Sequence, residues 1–268
     1  MTTMTRHPVP ASVSAPAPAI DLSGTPRIPL SRLVRVELRK MADTRSGKWL
    51  LVAIALITLV IVGVFFVTAK SSERTFFNFI ATTSGPQSFL LPVLGILLVT
   101  SEWTQRSGLV SFTLVPVRGR VLLAKILAGL LAGGAAIALS GVLATAATVV
   151  AGTDNAWAGF GLDDLGKFGF LQVTGILQGL AFGLLFLSSS PAITSYFVLP
   201  TAFNIVGSLW HSLATVQPWI DLWTSQTPLF KGTHISGEGW AQIGTSTLIW
   251  VVLPFVLGLT RVLRAEVK

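Results

Sequence analysis

The sequence predicts an all-α, polytopic membrane protein with six transmembrane helices. Of its 268 residues, 51% are hydrophobic and only 11% are charged, and the mean hydropathy is +0.73. Soluble domains carry about 25% charged residues, and charges this scarce cannot cover the surface of a fold in water. Two further observations lead to the same prediction: long charge-free runs, and an uneven distribution of Lys and Arg between them.

Five charge-free runs are long enough to cross a bilayer, since a transmembrane helix needs about 20 apolar residues. They cover residues 49–69, 75–101, 126–153, 168–220 and 239–260. The fourth has 53 residues and must hold two helices, which separate at Ser188-Ser189-Ser190-Pro191 because proline breaks helices. The predicted helix cores are 49–69, 79–101, 121–150, 168–187, 192–213 and 241–260.

Proline marks two further segments. Ser84-Gly85-Pro86 lies inside the second charge-free run and predicts either a helix that starts near Gln87 or a short interfacial piece before it. Residues 1–29 contain six prolines among Ala, Ser and Thr and no continuous apolar stretch. They predict a disordered cytoplasmic tail and not a signal peptide.

The distribution of Lys and Arg predicts the orientation. Segments on one side of the membrane carry 15 of the 19 basic residues, and those on the other side carry four. The positive-inside rule then places both termini and the loop at 102–125 in the cytoplasm. We interpret the basic excess as a signal of topology and of contact with anionic lipid, not of nucleic-acid binding.

Residues 30–48 predict an amphipathic helix in the membrane interface, ahead of the transmembrane domain at 49–268. Its apolar face carries Leu30, Leu33, Val34, Leu38 and Met41, and its basic face carries Arg32, Arg35 and Arg39. Glu37 falls inside the apolar arc, where an unpaired carboxylate would be unfavourable. It pairs with Lys40, pairs with a basic residue elsewhere, or reaches out to water.

The predicted cytoplasmic loop at 102–120 is longer and more amphipathic than a helix connection needs. A short helix there would present Leu109, Phe112 and Val115 on one side. The polar residues around it are Glu102, Arg106, Arg118 and Arg120. Such a helix could dock on a cytoplasmic partner, or its arginines could bind lipid phosphate.

Small residues recur at helical spacing in two spans and predict close helix packing, which is a main source of association inside lipid. They include Gly129, Gly133 and Gly141 in the third span and Gly175, Gly179 and Gly183 in the fourth. Packing within one subunit is preferred over an oligomer interface.

The predicted spans hold few groups that could carry chemistry. Lys125 is the one Lys, Arg, Asp or Glu residue in a span core, and its amine is expected to reach the interface. This scarcity weighs against the alternative function, an ion-coupled secondary carrier or channel. The sequence has no cysteine, no His-Glu-x-x-His motif and no Gly-x-x-x-x-Gly-Lys-Ser/Thr loop. We therefore expect no enzymatic activity, metal or cofactor on this chain.

The order of four motifs resembles the ABC-2 type permease family, the membrane subunits of ATP-driven exporters, in its actinobacterial style. The motifs are VELRKM at 36–41, TSEW at 100–103, TLVPVRGRVLLAK at 113–125 and RVLRAEVK at 261–268. The resemblance covers residues 33–268.

The resemblance implies a permease in the bacterial plasma membrane. The helix at 30–48, with Arg35, Glu37 and Arg39, would be the family's connecting helix. The loop would contain its short cytoplasmic coupling helix, docked on a separate nucleotide-binding subunit that carries ATP and Mg²⁺. The coupling residues would be Glu102, Arg106, Leu109, Phe112, Arg118 and Arg120. A second permease copy or a paralogue would complete the assembly, and the transported substrate is not predicted.

Overall fold

The computed structural model describes residues 28–104, 117–209 and 215–264, and these residues form helices and turns without a strand among them. The predicted tail at 1–29 lies outside this part except for its last two residues. Arg106, Leu109 and Phe112 of the predicted coupling helix also lie outside the described residues.

Nine helices, numbered here in chain order, make up the described part of the chain. They are α1 (Leu30–Asp43), α2 (Arg45–Thr68), α3 (Phe76–Thr104), α4 (Arg118–Ala151), α5 (Leu162–Phe186), α6 (Ser189–Leu209), α7 (Gln217–Ile220), α8 (Leu222–Phe230) and α9 (Gly237–Arg264). A 3₁₀ turn at Ser71–Glu73 precedes α3, and α9 contains a π-helical turn at Leu248–Val252.

Five of the described helices, α2, α3, α4, α5 and α9, are long and apolar enough to cross a membrane. The remaining predicted span corresponds to α6, a helix of 21 residues with Pro200 inside it, which is not among the five. The chain does break where the sequence indicated, since Leu187 has a left-handed φ of 55° between α5 and α6. A membrane protein is supported, and the count of six stays a prediction.

The second span begins earlier than predicted. α3 is one continuous helix of 29 residues from Phe76, so it neither starts near Gln87 nor follows a separate interfacial piece. Pro86 and Pro92 both lie inside it. A helix in lipid tolerates proline where side-chain hydroxyls and neighbouring helices satisfy the backbone. Pro92 leaves the carbonyl of Ser88 without its helical donor, and the Tyr196 hydroxyl of α6 donates to that carbonyl at 3.1 Å.

α3 and α5 are the most enclosed of the spanning helices, and glycines of α5 lie directly against α3. A Cβ atom at Gly179 would overlap the carbonyl oxygen of Pro92. Gly175 faces the ring of Pro92, and Gly183 faces the backbone of Ile96. The absence of side chains at these positions is what lets the two backbones approach so closely.

The glycines of α4 have different surroundings. A Cβ at Gly133 would overlap the Cδ1 atom of Ile176 in α5, and one at Gly129 would lie 3.3 Å from the Cγ2 atom of the same residue. Gly141 has no described atom within 4 Å of the position of a Cβ. Two of the three glycines therefore lie against α5 within this chain.

α1 lies against one end of the bundle, which we call the α1 end. There α3 ends, α4 begins and α9 ends, and Met41 of α1 is buried in one apolar cluster with Leu98 and Leu122. The short helices α7 and α8 lie at the opposite end, the α8 end.

Candidate functional site

A buried ion cluster of four side chains joins three helices at the α1 end. It consists of Glu37 and Lys40 from α1, Glu102 from α3 and Lys125 from α4. The Lys125 amine lies 2.6 Å from Glu37 Oε2 and 3.3 Å from Glu102 Oε1. The Lys40 amine lies 2.7 Å from Glu37 Oε1 and 2.8 Å from Glu102 Oε1. Each amine therefore bridges both carboxylates.

This geometry resolves the open interpretation of Glu37. It is 3% exposed, so it does not reach out to water, and it pairs with Lys40 on its own helix and with Lys125 on α4. A carboxylate can be buried in this way only because two cations and their hydrogen bonds replace its hydration.

The expectation for Lys125 was wrong. Its amine does not reach the interface: the residue is 4% exposed, and it also donates a hydrogen bond of 3.1 Å to the carbonyl of Leu98. The reason is that α1 packs against the first turns of α4 and supplies Glu37 there. Sequence spacing alone cannot show this contact.

Among the described residues of the cluster, two carboxylates face two amines. Burial lowers the pKa of the Lys40 amine, but its hydrogen bonds to Glu102 and Glu37 outweigh that effect and hold the pKa above its ordinary value of 10.5. Lys40 is the outermost member, with a side chain that is 36% exposed. The other three members are closed off from solvent.

Two arginines predicted to contact a partner bind carbonyls of this chain instead of standing free. Arg118 donates to the carbonyl of Val262 at 2.9 Å, near the end of α9, where carbonyls lack partners within the helix. Arg120 donates to the carbonyl of Ile28 at 2.6 Å. They tie the first turn of α4 to α9 and to the segment before α1. Arg35 and Arg39 of α1 are exposed.

A second polar network lies among the spans and was not predicted from the sequence. The Gln87 amide nitrogen donates to Ser140 Oγ at 2.7 Å, and its oxygen accepts from Gln172 Nε2 at 2.6 Å. Thr58 Oγ1 lies 3.4 Å from the same nitrogen. The network therefore joins α2, α3, α4 and α5, and its amides are satisfied, as buried polar groups require.

A cavity of about 270 Å³ lies between α3, α5, α6 and α8. Aromatic and amide side chains share its wall. The aromatic members are Phe89, Tyr196, Phe197, Trp223 and Phe230, and the amide members are Gln178, Asn204 and Gln226. Trp223 belongs to the segment that the sequence predicts as the last external loop, which here folds back over the bundle as α8.

No family model matches the chain, and no curated protein matches it. Within the ranges that the structure describes, no group of three or more His, Cys, Asp or Glu residues could hold a metal ion. The ion cluster, the polar network and the cavity are therefore the features from which function has to be argued.

Proposed function

We propose that the chain is the membrane-spanning permease subunit of an ATP-driven exporter of the ABC-2 type. The observation that carries this proposal is the ion cluster at the α1 end. It joins α1 to the last turns of α3 and the first turns of α4, the two helices on either side of residues 105–116, which belong to the predicted cytoplasmic loop.

A loop that receives force from a partner can move helices only if its base is held to them. Glu102 and Lys125 lie on either side of this loop and share the Lys40 and Glu37 contacts of α1. A displacement of the loop would therefore move α1, α3 and α4 together, because packed interiors transmit strain. A loop that only bound lipid phosphate would not need this connection.

The energetics of the cluster support a positioning role. Burying ion pairs is often no better for stability than burying apolar residues of the same size, because the charges lose their hydration. Three buried charges and a partly exposed fourth, placed beside one predicted loop, are therefore poorly explained by stability alone. Fixed geometry between α1, α3 and α4 is what the cluster adds.

In the proposed assembly, ATP and Mg²⁺ bind to separate nucleotide-binding subunits and this chain carries no cofactor. Two copies of the chain, or one copy and a paralogous permease, form the membrane part in the bacterial plasma membrane. The α1 end and both termini face the cytoplasm, in agreement with the basic residues concentrated there. ATP-driven closure of the partner subunits alternates the exposure of a path between the two membrane halves.

Purification of the tagged chain from its native membrane tests the proposal. An ATPase subunit is expected in equimolar amount, and Arg106→Glu or Phe112→Ala is expected to reduce its recovery at least fivefold. Arg264→Glu, a charge reversal at an exposed position of the same end, is the matched control and should leave recovery unchanged. Recovery of the chain alone, with transport intact in vesicles that lack ATP, would refute the assignment. Transport that instead collapses when an ionophore removes the proton or sodium gradient would favour the ion-coupled carrier.

A further inference from the structure

The cavity between α3, α5, α6 and α8 has the size and the wall of a small-molecule site. An engineered cavity of about 150 Å³ can hold one benzene molecule, so about 270 Å³ has room for about two rings. Sites for small molecules are mostly apolar, with a few polar groups that fix orientation. This cavity has both kinds of wall.

A stack of three aromatic rings forms one part of the wall. Phe89 of α3 lies between Phe197 of α6 and Trp223 of α8, with ring centroids 6.1 Å and 6.3 Å apart and interplanar angles of 28° and 25°. Phe89 and Trp223 are also about half exposed. A flat apolar molecule can extend such a stack, because offset ring stacking is favourable beyond the area that it buries.

A buried amide forms the polar part. Gln226 is 7% exposed, and its Nε2 atom has no hydrogen-bond partner among the described residues. A buried donor without an acceptor is unfavourable, and native proteins leave few of them. The neighbouring amide of Gln178 is 5% exposed and lines the same cavity. Gln226 lines the cavity as well, so an acceptor on a bound molecule would satisfy its amide nitrogen once the side chain turns toward the ligand.

We propose that this cavity binds an uncharged molecule of about two fused rings that carries a carbonyl or similar hydrogen-bond acceptor. None of the described residues that line it is charged, so an ionic ligand would lose its hydration without compensation. The rings would lie against the stack of Phe89, and the acceptor would face Gln226. The inference goes beyond the permease proposal and does not depend on it, because binding requires neither ATP nor a partner subunit.

Coumarin and naphthalene are suitable probes, since both have two fused rings and only coumarin has a carbonyl. Binding of each labelled compound to the purified full chain in lipid nanodiscs is measured by equilibrium dialysis, with empty nanodiscs subtracted. We expect coumarin to bind the wild type more tightly than naphthalene. Gln226→Leu should weaken coumarin about three- to tenfold, as expected for one lost hydrogen bond, and should not weaken naphthalene.

A second pair of variants tests the location of the site independently of Gln226. Thr201→Phe places a ring in the cavity and should abolish binding of both probes. Thr260→Phe is the matched control, because Thr260 is also an exposed helical threonine whose hydroxyl donates to a carbonyl of its own helix. Equal coumarin affinity in wild type and Gln226→Leu, or binding that Thr201→Phe does not reduce, would overturn the proposal. Absence of binding above empty nanodiscs would overturn it as well, whatever the ATPase co-purification shows.

Discussion

The Lys125 amine lies 2.6 Å from a Glu37 carboxylate oxygen, although 88 positions separate the two residues in the sequence. Both side chains are 5% exposed, so the contact is a buried ion pair and not a surface one. It fixes α1 against α4. Any movement of α1 relative to the rest of the bundle must therefore either break this ion pair or move α4 together with α1.

We expect Lys125→Met to destabilise the protein by about 3–5 kcal/mol, because it removes one of the two described amines that face the buried Glu37 and Glu102 carboxylates. Thermal unfolding in detergent measures the effect. The double variant Glu37→Gln with Lys125→Met should recover part of the loss, and Lys48→Met, at an exposed position, is the control. Equal melting temperatures for Lys125→Met and Lys48→Met would contradict the buried cluster.

We expect Gly179→Ala to destabilise the protein by about 1–3 kcal/mol, because the added methyl group would overlap the backbone of Pro92 and force α3 and α5 apart. Gly141→Ala is the matched control in α4. It meets no described atom within 4 Å and should stabilise its helix by about 0.5–1 kcal/mol. The two unfolding temperatures should therefore move in opposite directions, and a shift in the same direction would argue against close packing at Gly179.

The raised pKa of Lys40 predicts a stability contribution with a defined pH range. Since the folded-state pKa lies above the unfolded value of 10.5, the contribution is fully present below pH 10.5 and is lost as pH rises through the folded-state pKa. The difference in melting temperature between wild type and Lys40→Met should be constant from about pH 7 to about pH 10 and shrink at higher pH. A difference that grew above that range would contradict the sign of the shift. The side chain is partly exposed, so the difference itself will be small.

The orientation can be tested with single cysteines, because the sequence contains none. We expect a membrane-impermeant maleimide to leave Ser111→Cys unlabelled in intact cells and to label it after permeabilisation. Thr233→Cys, at an exposed position of the α8 end, is the control and should be labelled in intact cells. Labelling of Ser111→Cys from outside would reverse the topology and remove the basis for a cytoplasmic coupling helix.

The sequence was sufficient for the positions of the spans that the structure supports, because a helix in lipid must be both long and free of charge. It also singled out Glu37, since a carboxylate on an apolar face has to pair with a cation or reach out to water. The sequence could not predict that Lys125 is the partner of Glu37, because Lys125 becomes buried only when α1 packs against α4. The continuous start of α3 was missed because proline was interpreted as the start of a helix, whereas α3 continues through Pro86 and Pro92, and the Tyr196 hydroxyl of another helix satisfies the carbonyl that Pro92 leaves without a donor.

The cavity shows a further limit of sequence reasoning. A tryptophan between two predicted spans, such as Trp223, is ordinarily expected in the membrane interface, where indole is favourable. In the fold it belongs to α8 and stacks on Phe89 of α3, a contact that depends on how the segment after α6 folds back. Gln226 follows Trp223 by three positions and so lies on nearly the same side of α8, but nothing in the sequence indicates that its amide nitrogen would lack an acceptor.

The π-helical turn at Leu248–Val252 determines which residues of α9 face inward on either side of it. Ile243 and Ser246 are buried before the turn, and Gly258 and Val262 are buried after it. In an uninterrupted α-helix, where each residue advances by about 100°, these four positions would spread over nearly half of the circumference. The π-helical turn holds about one extra residue, which offsets about 100° of rotation, so the four positions lie in one narrow stripe of the helix surface. Deletion of Ile249 would hardly alter the hydropathy of α9, yet it would rotate Gly258 away from Leu184. The rotational position of the residues after the turn therefore depends on the π-helical turn, and a count of apolar residues does not reveal it.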